Sequence, residues 1–523
     1  MTAARPLVPV TEMFLSAVAR HGGRVLVHHR SEDWTYARIA RAASAVASWL
    51  QGIGARRGDR VVVVLTNGAD YVSAYFGTLL AGCSVVAVHP ETPARELRAV
   101  LDHSEAVGVI AAADVVRVLN EVAGGLRHGR AALLCGAEAV PHAVGGRPAA
   151  SLAALVEHGA PDIAPPNVAL DDVAQIIYTS GTTGGPKGVV LTHRNLAANT
   201  RSILSYLPLT REDSVLVVLP FFYSYGNSLL LTHVSVGGRL VIAEDFVFWS
   251  RVANLADREG VTGLAGVPST FTMLLFRSNF TTRRLAALRY VTCAGGALPA
   301  PMVARLRAAL PAVSVFLMYG QTEATARLSA LLPHEVAERP ESAGRAIPGV
   351  ELTIWSDDGR RLGPREVGEI VARGENVMRG YWNDADASRL VLRPEGLRTG
   401  DLAWMDEDGY LFIVGRKSDI IKSGSYRIGP REIEEVLMGL ADVADAAVVG
   451  RPDEILGEVP VAFVVPRIKG TCSADAMLEE LRRLLPRHKV PREILLVDAL
   501  PRTGTGKLRR IELQERLRTV AGR

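Results

Sequence analysis

One stretch of the chain combines hydroxyl side chains, glycines and a lysine in a way that suits phosphate. It spans residues 179–187 and reads TSGTTGGPK. The glycines turn freely, so that hydroxyls and backbone N–H groups can face one anion, and the lysine adds a positive charge. The Walker A pattern of P-loop nucleotidases is excluded, because Pro186 stands where that pattern requires its second glycine. The residues predicted to hold phosphate or nucleotide here are Thr179, Ser180, Gly181, Thr182, Thr183 and Lys187.

A carboxylate follows one of the predicted buried strands. The polar run directly after the apolar residues 313–318 is Tyr319, Gly320, Gln321, Thr322 and Glu323. α/β proteins bind ligands at the carboxyl ends of their parallel strands. A carboxylate at such a place can hold Mg²⁺, which bridges the phosphates of ATP and offsets their charge. The run predicts a nucleotide and metal site, although a helix-starting Thr-Glu pair is the alternative for these two residues in isolation.

Two other loops have the composition of nucleotide contacts. Gly295 and Gly296, followed by Ala297, would let the backbone approach a flat ligand closely, although a plain strand-to-helix turn is the alternative. Asp401 precedes a predicted strand that ends near Arg416. An aspartate can accept hydrogen bonds from two ribose hydroxyls, a common device in nucleotide sites. The alternative for Asp401 is a turn-capping role.

A glycine-flanked lysine lies in the last predicted domain. Lys507 ends the run LPRTGTGK, which spans residues 500–507. A lysine in such a loop can reach a site on another domain, and its ammonium can stabilise the charge that develops when a carboxylate attacks a phosphorus. An exposed basic loop is the alternative.

The elements that must position these residues alternate as in an α/β protein. Helical stretches such as 69–81 separate short apolar runs at 61–65, 84–88, 174–178, 215–219, 239–243, 263–267 and 313–318. This pattern predicts mostly parallel strands buried under helices. The Ala- and Pro-rich segment 145–166 is predicted to be a surface excursion.

The pattern changes after about residue 350. Short strands separated by turn residues, at 351–355, 368–372 and 410–414, predict a small antiparallel or barrel-like subdomain. From about residue 418, a hairpin, helices and strands form a compact unit. We therefore predict a large α/β N-terminal domain at residues 1–417, with the barrel-like part at about 350–417. A small, mobile α+β C-terminal domain is predicted at residues 418–523.

Composition narrows the class of protein. The chain has 523 residues, 48% hydrophobic and 22% charged, which is globular and too long for one core. A net charge of +4 with scattered basic residues argues against a nucleic-acid partner. The four cysteines show no CxxC spacing, which fits a reducing compartment. Neither a signal peptide nor an apolar run near the ~20 residues of a membrane span is present, so a cytoplasmic protein is predicted.

Together and in this order, the motifs resemble those of the AMP-forming adenylating superfamily. That superfamily contains acyl-CoA synthetases, the adenylation domains of nonribosomal peptide synthetases and beetle luciferases, and the chain is most similar to stand-alone acyl-CoA synthetases. The resemblance implies that ATP and Mg²⁺ activate a carboxylic acid to acyl-AMP with release of pyrophosphate. Acyl transfer to a thiol, with CoA as the first candidate, would follow.

The resemblance also implies roles for single residues. Thr322 and Glu323 would contact nucleotide and Mg²⁺, Asp401 would bind ribose, and Arg416 would contact ribose or phosphate. Lys507 would serve the adenylation step. The residues implied in catalysis are Lys507, Thr179, Lys187 and Glu323.

The resemblance implies an acid pocket as well. Its predicted residues are Tyr223, Ser224, Asn227, Gly295 and Arg327. Many relatives have histidine at the Tyr223 position, where an aromatic ring gates entry of the carboxylate; core packing is the alternative. No aspartate occurs in residues 221–228 to pair with an amine, which argues against an α-amino acid and leaves fatty, aryl and aryl-acrylic acids open. Arg327 would meet a polar substituent or form a surface ion pair.

Relatives rotate their small domain between the two steps. The corresponding hinge is Ser418, with Asp419 beside it, and many relatives have Asp or Lys at the Ser418 position. After rotation, Gly424 and Ser425 would border the thiol tunnel. Many acyl-CoA ligases have a second glycine where this chain has Ser425, which leaves the acceptor open.

Three alternatives stay open at this point. The acceptor could be the phosphopantetheine of a carrier protein that binds in trans. The acid could be an unusual one, such as nitrite in diazotisation, with a non-thiol acceptor. The chain could also be a nucleotide-binding pseudoenzyme, although the presence of Lys187, Glu323, Asp401 and Lys507 argues against that.

Overall fold

A computed structural model describes most of the chain. The described residues are 6–122, 127–137, 140–159, 167–180, 186–244, 248–283, 285–424, 426–468, 473–502 and 508–521.

Strands and helices alternate as far as residue 346. The strands are β1 (Val25–His29), β2 (Glu32–Thr35), β3 (Arg60–Val64), β4 (Ser84–Val88), β5 (Gly108–Ala112), β6 (Ala131–Cys135), β7 (Ala143–Val144), β8 (Arg147–Ser151), β9 (Val173–Ser180), β10 (Pro186–Thr192), β11 (Ser214–Val217), β12 (Arg239–Ile242), β13 (Gly263–Gly266), β14 (Tyr290–Cys293), β15 (Ser314–Tyr319), β16 (Ser329–Leu331) and β17 (Arg345–Ala346). The helices are α1 (Val10–His21), α2 (Tyr36–Gly52), α3 (Ala69–Leu80), α4 (Ala94–Ser104), α5 (Val116–Glu121), α6 (Leu152–Glu157), α7 (His193–Tyr206), α8 (Ser224–Val236), α9 (Trp249–Arg258), α10 (Pro268–Arg277) and α11 (Ala300–Ala309).

The rest of the chain is richer in antiparallel strands. Its strands are β18 (Val350–Trp355), β19 (Gly368–Gly374), β20 (Gly380–Tyr381), β21 (Leu392–Arg393), β22 (Gly396–Met405), β23 (Leu411–Arg416), β24 (Ile421–Ser423), β25 (Tyr426–Ile428), β26 (Val443–Asp453), β27 (Gly457–Pro466) and β28 (Glu493–Leu496). Its helices are α12 (Ala385–Val391), α13 (Pro430–Gly439), α14 (Ala474–Leu484) and α15 (Arg510–Ala521).

Two large sheets dominate the N-terminal region. In the described residues, one has the order β17-β16-β15-β14-β13-β11-β12-β1-β2 and the other β20-β10-β9-β4-β3-β5-β6-β8-β7. Their central strands are parallel, whereas the strands at the edges pair antiparallel. The predicted parallel α/β layout is confirmed.

One hydrophobic core joins these two sheets. It contains Val63 from β3 in the second sheet and Val215 from β11 in the first, both fully buried. Helix α3 lies in this core with only Asp70 not fully buried along its length. A helix that is apolar all round is buried on every side, which is why its sequence lacks a polar face.

Two smaller sheets follow. Strands β18, β19, β22, β21 and β23 form an antiparallel sheet, as predicted for the barrel-like part. Strands β24 to β28 form a mixed sheet, in which β28 pairs parallel with β27 and the other pairs are antiparallel, and α13, α14 and α15 cover it. This second unit is the predicted α+β fold. Among the described residues, no helix is both long enough and apolar enough to cross a membrane.

The prediction of a surface excursion at 145–166 is wrong for most of its described part. Residues 147–151 form β8, which pairs parallel with β6, and residues 152–157 form α6, whose Leu152 enters the core. Only one of the five residues of this strand, Ser151, is buried, so no long apolar run marked it. Residues 160–166 lie outside the described part of the chain.

Two buried histidines make the stability of this fold sensitive to pH. Burial lowers the pKa of His193 and of His233 to about 4, from 6.5. His193 Nδ1 accepts a hydrogen bond from the Val10 N–H (3.2 Å), and His233 Nε2 lies 3.1 Å from the Tyr290 hydroxyl. Between pH 6.5 and 4 the unfolded chain binds protons that the folded chain excludes, so stability is lost as pH falls through this window.

We therefore expect the melting temperature to drop between pH 7 and pH 5, and to drop less in His193→Gln. His334→Gln is the matched control, because its side chain is 76% exposed. It should leave the size of the drop unchanged. An equal drop in wild type and His193→Gln would contradict this account.

Candidate active site

The predicted phosphate loop connects two antiparallel strands. Strands β9 and β10 pair so that Thr179 lies opposite Lys187. The Thr179 hydroxyl lies 3.5 Å from the carbonyl oxygen of Lys187. Residues 181–185, with Gly181, Thr182 and Thr183, lie outside the described residues, as does the side chain of Ser180. The pairing of β9 with β10 therefore fixes the two points at which the loop begins and ends.

An aromatic side chain joins the lysine of this loop to the predicted metal carboxylate. Lys187 Nζ lies 5.1 Å from the centre of the Tyr381 ring, and the Tyr381 hydroxyl donates to Glu323 Oε1 (3.0 Å). Burial and the adjacent Glu323 raise the pKa of Tyr381, so its hydroxyl stays a donor at neutral pH. Strand β20 carries Tyr381 into place by pairing with β10.

Neither Tyr381 nor its neighbour Trp382 was among the predicted site residues. The Trp382 N–H donates to the Gly188 carbonyl (2.7 Å), and its indole donates to the His103 carbonyl (3.0 Å). The only sequence signal is an aromatic pair after Gly380 in an otherwise polar stretch.

Glu323 lies on a short 3-10 turn held under backbone strain. The turn spans Thr322–Ala324, and the next residue, Thr325, has φ +67° and ψ −64°. A β-branched residue rarely adopts this conformation, which closes a γ-turn through the hydrogen bond from Ala326 N to Ala324 O (2.8 Å). The Thr325 hydroxyl is tied to the Asn376 carbonyl (2.7 Å), which holds the strained residue in place.

Gly320 is required by the same turn. A Cβ at Gly320 would lie 2.1 Å from the Ala326 carbonyl oxygen. Only glycine at position 320 therefore lets the segment after Glu323 fold back against β15, the strand that precedes Gly320. Tyr319, Gln321 and Thr322 line the mouth of this turn, half-buried.

A buried carboxylate lies at the centre of a second cluster. Asp401 on β22 is 6% exposed, accepts from the Tyr319 hydroxyl (2.7 Å) and pairs with Arg416 Nε on β23 (3.1 Å). Burial and Asp401 raise the pKa of Tyr319 well above its usual range, and Asp401 raises the pKa of Arg416. The three predicted residues thus come together from two sheets.

The first cluster borders an open cleft of about 610 Å³, and the two residues that precede Asp401 border it as well. Gln321, Glu323 and Tyr381 line one side, and Thr399 and Gly400 line the other. Clefts of ~300–1,000 Å³ are typical of ligand sites, so a nucleotide would fit. Gly295, Gly296 and Ala297 form an exposed loop after β14, and Gly295 has φ +80°.

The predicted acid-pocket residues begin α8 beside this cleft. Tyr223 is half-buried against Phe222, with ring centres 4.5 Å apart. Ser224 Oγ lies 3.4 Å from Thr322 Oγ1, which links the acid pocket to the nucleotide motif. Asn227 lies deeper: it is 2% exposed and donates to Gln175 Oε1 and the Tyr75 hydroxyl. Asn227 therefore supports the predicted acid pocket from the protein interior.

Arg327 is buried, with 2% of its surface exposed. The alternative prediction of a surface ion pair is therefore wrong. Its guanidinium carbon lies 3.9 Å from the centre of the Tyr225 ring, next to the predicted acid-pocket residues of α8.

Lys507 itself lies outside the described residues. The residues that flank it on either side, Arg502 and Leu508, pair as an antiparallel bridge. Burial raises the pKa of Tyr223, and the Arg509 charge opposes that rise. The charge of Arg509, two residues after Lys507, is therefore close enough to Tyr223 to act on its hydroxyl.

The predicted hinge residues lie between the last two sheets. The Ser418 hydroxyl donates to Asp419 Oδ1 (2.9 Å), and Arg510 Nε on α15 lies 3.4 Å from Asp419 Oδ2. Gly424 has φ +58° in the β24–β25 turn, and Ser425 lies outside the described residues.

Comparison with known proteins gives the family. Residues 14–382 match the AMP-binding enzyme family, and residues 432–507 match the AMP-binding enzyme C-terminal domain. The feruloyl-CoA synthase of an Amycolatopsis species is 32% identical over 516 residues, which cover 96% of this chain and 96% of that protein. The chain belongs to the AMP-binding enzyme family.

Further comparisons agree with this membership. The long-chain-fatty-acid–CoA ligase of Salmonella typhimurium is 32% identical over 535 residues, covering 97% of this chain and 94% of that protein. The crystal structure of the anthranilate CoA ligase AuaEII with anthranoyl-AMP has the same fold, with a TM-score of 0.90, 24% identity and coverage of 99% and 98%.

The predicted resemblance is therefore confirmed. This member of the AMP-binding enzyme family is an AMP-forming acid–thiol ligase, which activates a carboxylic acid with ATP and then forms a thioester with CoA. The comparisons favour neither a nitrite-activating enzyme nor a pseudoenzyme.

A first test concerns the hydroxyl that Tyr381 donates to Glu323. We expect Tyr381→Phe to slow ATP-dependent acid activation roughly 3- to 10-fold, the factor that about 1 kcal/mol of hydrogen-bond free energy gives. ATP–pyrophosphate exchange measures this rate. Tyr71→Phe is the matched control, because the Tyr71 hydroxyl is buried and no described residue bonds to it. Equal rates in wild type and Tyr381→Phe would show that the Tyr381 hydroxyl does not contribute to acid activation.

Proposed function

We propose that this ligase activates the acid in the cleft between the Glu323 and Asp401 clusters. The observation that carries the proposal is that two clusters lie next to each other, one of Lys187, Tyr381 and Glu323 and the other of Tyr319, Asp401 and Arg416. The Glu323 charge is close enough to contribute to the raised pKa of Arg416. Two adjoining clusters with this chemistry suit the two ends of a nucleotide.

Asp401 would accept hydrogen bonds from the ribose hydroxyls, and Arg416 would contact ribose or phosphate. The pair is already organised: with Tyr319 and Arg416 as partners, the buried carboxylate stays oriented before nucleotide binds, which reduces the ordering cost of binding. Gly295, Gly296 and Ala297 would lie along adenine, and Gln321 would face the α-phosphate side.

The phosphates would bind at the glycine-rich loop. Lys187 would approach them as a point charge, and the hydroxyls of Thr179, Ser180, Thr182 and Thr183 would donate to them.

Glu323 suits one Mg²⁺ ion. Mg²⁺ prefers oxygen ligands and is usually held by one or two carboxylates together with substrate phosphates. Within the described part of the chain, no group of three or more His, Cys, Asp or Glu side chains could hold a metal by itself, which agrees with a metal shared with ATP. When bound, Mg²⁺ would neutralise phosphate charge. Tyr381 would fix one oxygen of Glu323 and leave the other for the ion.

The first step would be an attack of the acid's carboxylate oxygen on the α-phosphorus of ATP. The bond from that phosphorus to the bridging oxygen breaks, so that acyl-AMP forms and pyrophosphate leaves. Lys507 would stabilise charge on the attacking and bridging oxygens. The position of Arg509 near Tyr223 supports this role, because it brings the neighbouring segment to the acid pocket.

In the second step the CoA sulfur would attack the acyl carbonyl carbon, with loss of the thiol proton and departure of AMP. We place the boundary between the large and small domains at residues 417 and 418, with Ser418 and Asp419 as the hinge. The Asp419–Arg510 ion pair joins this hinge to the last helix, so rotation of the small domain would carry α15 with it. Gly424 and Ser425 would then border the thiol.

The acid would enter past Tyr223. An aromatic ring with a polar tip suits a gate for a carboxylate. Relatives of this chain include a feruloyl-CoA synthase and a long-chain-fatty-acid–CoA ligase, so aryl, aryl-acrylic and fatty acids are all appropriate test substrates.

The test is ATP–pyrophosphate exchange over a panel of these acids in wild type, Lys507→Ala and Asp401→Asn. We expect Lys507→Ala to lose acid-dependent exchange and Asp401→Asn to raise the KM for ATP roughly tenfold or more, because a hydrogen bond to a charged group is lost. Lys489→Ala is the matched control, since Lys489 pairs with Glu432 in the small unit. Unchanged exchange in Lys507→Ala would contradict the assigned role.

The acceptor is tested with the acid that gives the fastest exchange. Wild type with CoA should form the acyl-CoA thioester. Lys507→Ala supplied with preformed acyl-AMP should still do so, because this lysine is assigned only to the first step. A product that forms with a carrier protein but not with CoA would overturn CoA as the acceptor.

A further inference from the structure

The guanidinium of Arg327 is a buried positive charge without an anionic partner. Nε donates to the sulfur of Met318 (3.2 Å) and Nη1 to the carbonyl of Ala326 (3.3 Å), while the cation lies over the Tyr225 ring. In the part of the chain that the structure describes, no carboxylate lies within ion-pair distance of it. A thioether sulfur is a weak acceptor, and the Tyr206 hydroxyl, which also bonds to Arg327, carries no charge, so these contacts do not neutralise the guanidinium.

The titratable groups around Arg327 do not supply the missing charge. Tyr206, Tyr225 and Cys293 surround it, and burial raises the pKa of each of them. All three are therefore neutral at physiological pH. Burying a charge costs free energy unless the charge is paired. An apolar side chain at position 327 would avoid this cost.

Arg327 lies beside the acid pocket. Tyr225 follows Ser224, whose hydroxyl reaches Thr322, and the Tyr225 hydroxyl donates to Thr292 one residue before the end of β14 (2.9 Å). Strand β14 leads into the Gly295 loop. Arg327 itself follows the strained Thr325 and is held through its carbonyl by Asn199 (3.1 Å) and Asn376 (2.9 Å). The charge is thus fixed against Tyr225 in the first turn of α8, which also carries Ser224.

We propose that Arg327 pairs with a second carboxylate on the acid, so that the preferred substrates are acids with an anionic group at the end opposite the one that is activated. The proposal rests on the proposed function, because it assigns the far end of the same pocket. A guanidinium that is stacked on a ring keeps its N–H edge for a planar carboxylate, which it can bind through two parallel hydrogen bonds. Arg327 is then a specificity-determining residue.

The experiment compares matched acids in ATP–pyrophosphate exchange. The pairs are 4-carboxycinnamate with 4-methylcinnamate, and octanedioate with octanoate. 4-Hydroxycinnamate supplies an uncharged hydrogen-bonding group. We expect wild type to favour at least one diacid over its partner roughly tenfold or more in kcat/KM, and over 4-hydroxycinnamate as well.

The variants separate recognition of charge from packing. Arg327→Met should lose the preference for the diacid, and the loss should appear as a rise in KM for the diacid that exceeds any change in KM for the matched monoacid. Arg327→Lys keeps a positive charge without the planar fork, and should retain part of the preference. Melting temperatures of both variants report any structural damage. If Arg327→Met does not fold, the test rests on the wild-type ratios of kcat/KM between the matched acids and on the preference that Arg327→Lys retains.

Three results would overturn the inference alone: exchange in wild type without preference for a diacid, an equal rate with 4-hydroxycinnamate, or an unchanged preference in a folded Arg327→Met variant. Absence of exchange with every acid is a different result. It would overturn the proposed function and this inference with it.

Discussion

The paired carboxylate of Asp401 is the interaction on which the site depends. A buried charge must have partners, and those of Asp401 come from different parts of the chain: Tyr319 from the end of a parallel strand in the large sheet, and Arg416 from the last strand before the hinge. Satisfying this one carboxylate therefore fixes the barrel-like sheet against the large α/β region. Thr399 and Gly400, the two residues before Asp401, line the open cleft.

A second set of contacts builds the rest of the site from short segments. The turn after Tyr319 can fold back only because position 320 lacks a Cβ, and its strain at Thr325 is held by the loop that contains Asn376. That loop leads directly to β20, which places Tyr381 between Lys187 and Glu323. Glu323, Arg327 and Tyr381, whose ring lies beside Lys187, are thus positioned by two short segments that contact each other.

The sequence predicted the parts of this arrangement that are local. Buried parallel strands are continuous apolar runs, and the motifs around Lys187, Glu323 and Asp401 are short, so both could be read directly. Tyr381 and Trp382 could not, because their role depends on the pairing of β20 with β10, which are far apart in the chain. The burial of Arg327 was equally hidden, since arginine is normally exposed and only the fold places Tyr225 beneath it. Strand β8 was missed because only one of its five residues is buried, so its sequence has no apolar run.

The central claim is that the acid's own carboxylate oxygen attacks the α-phosphorus of ATP. The most direct measurement uses an acid labelled with ¹⁸O in both carboxylate oxygens, turned over with ATP and CoA, followed by mass spectrometry of the nucleotide and phosphate products. The account predicts AMP that carries one ¹⁸O atom and pyrophosphate that carries none. Label in pyrophosphate or inorganic phosphate, or ADP as the nucleotide product, would contradict it.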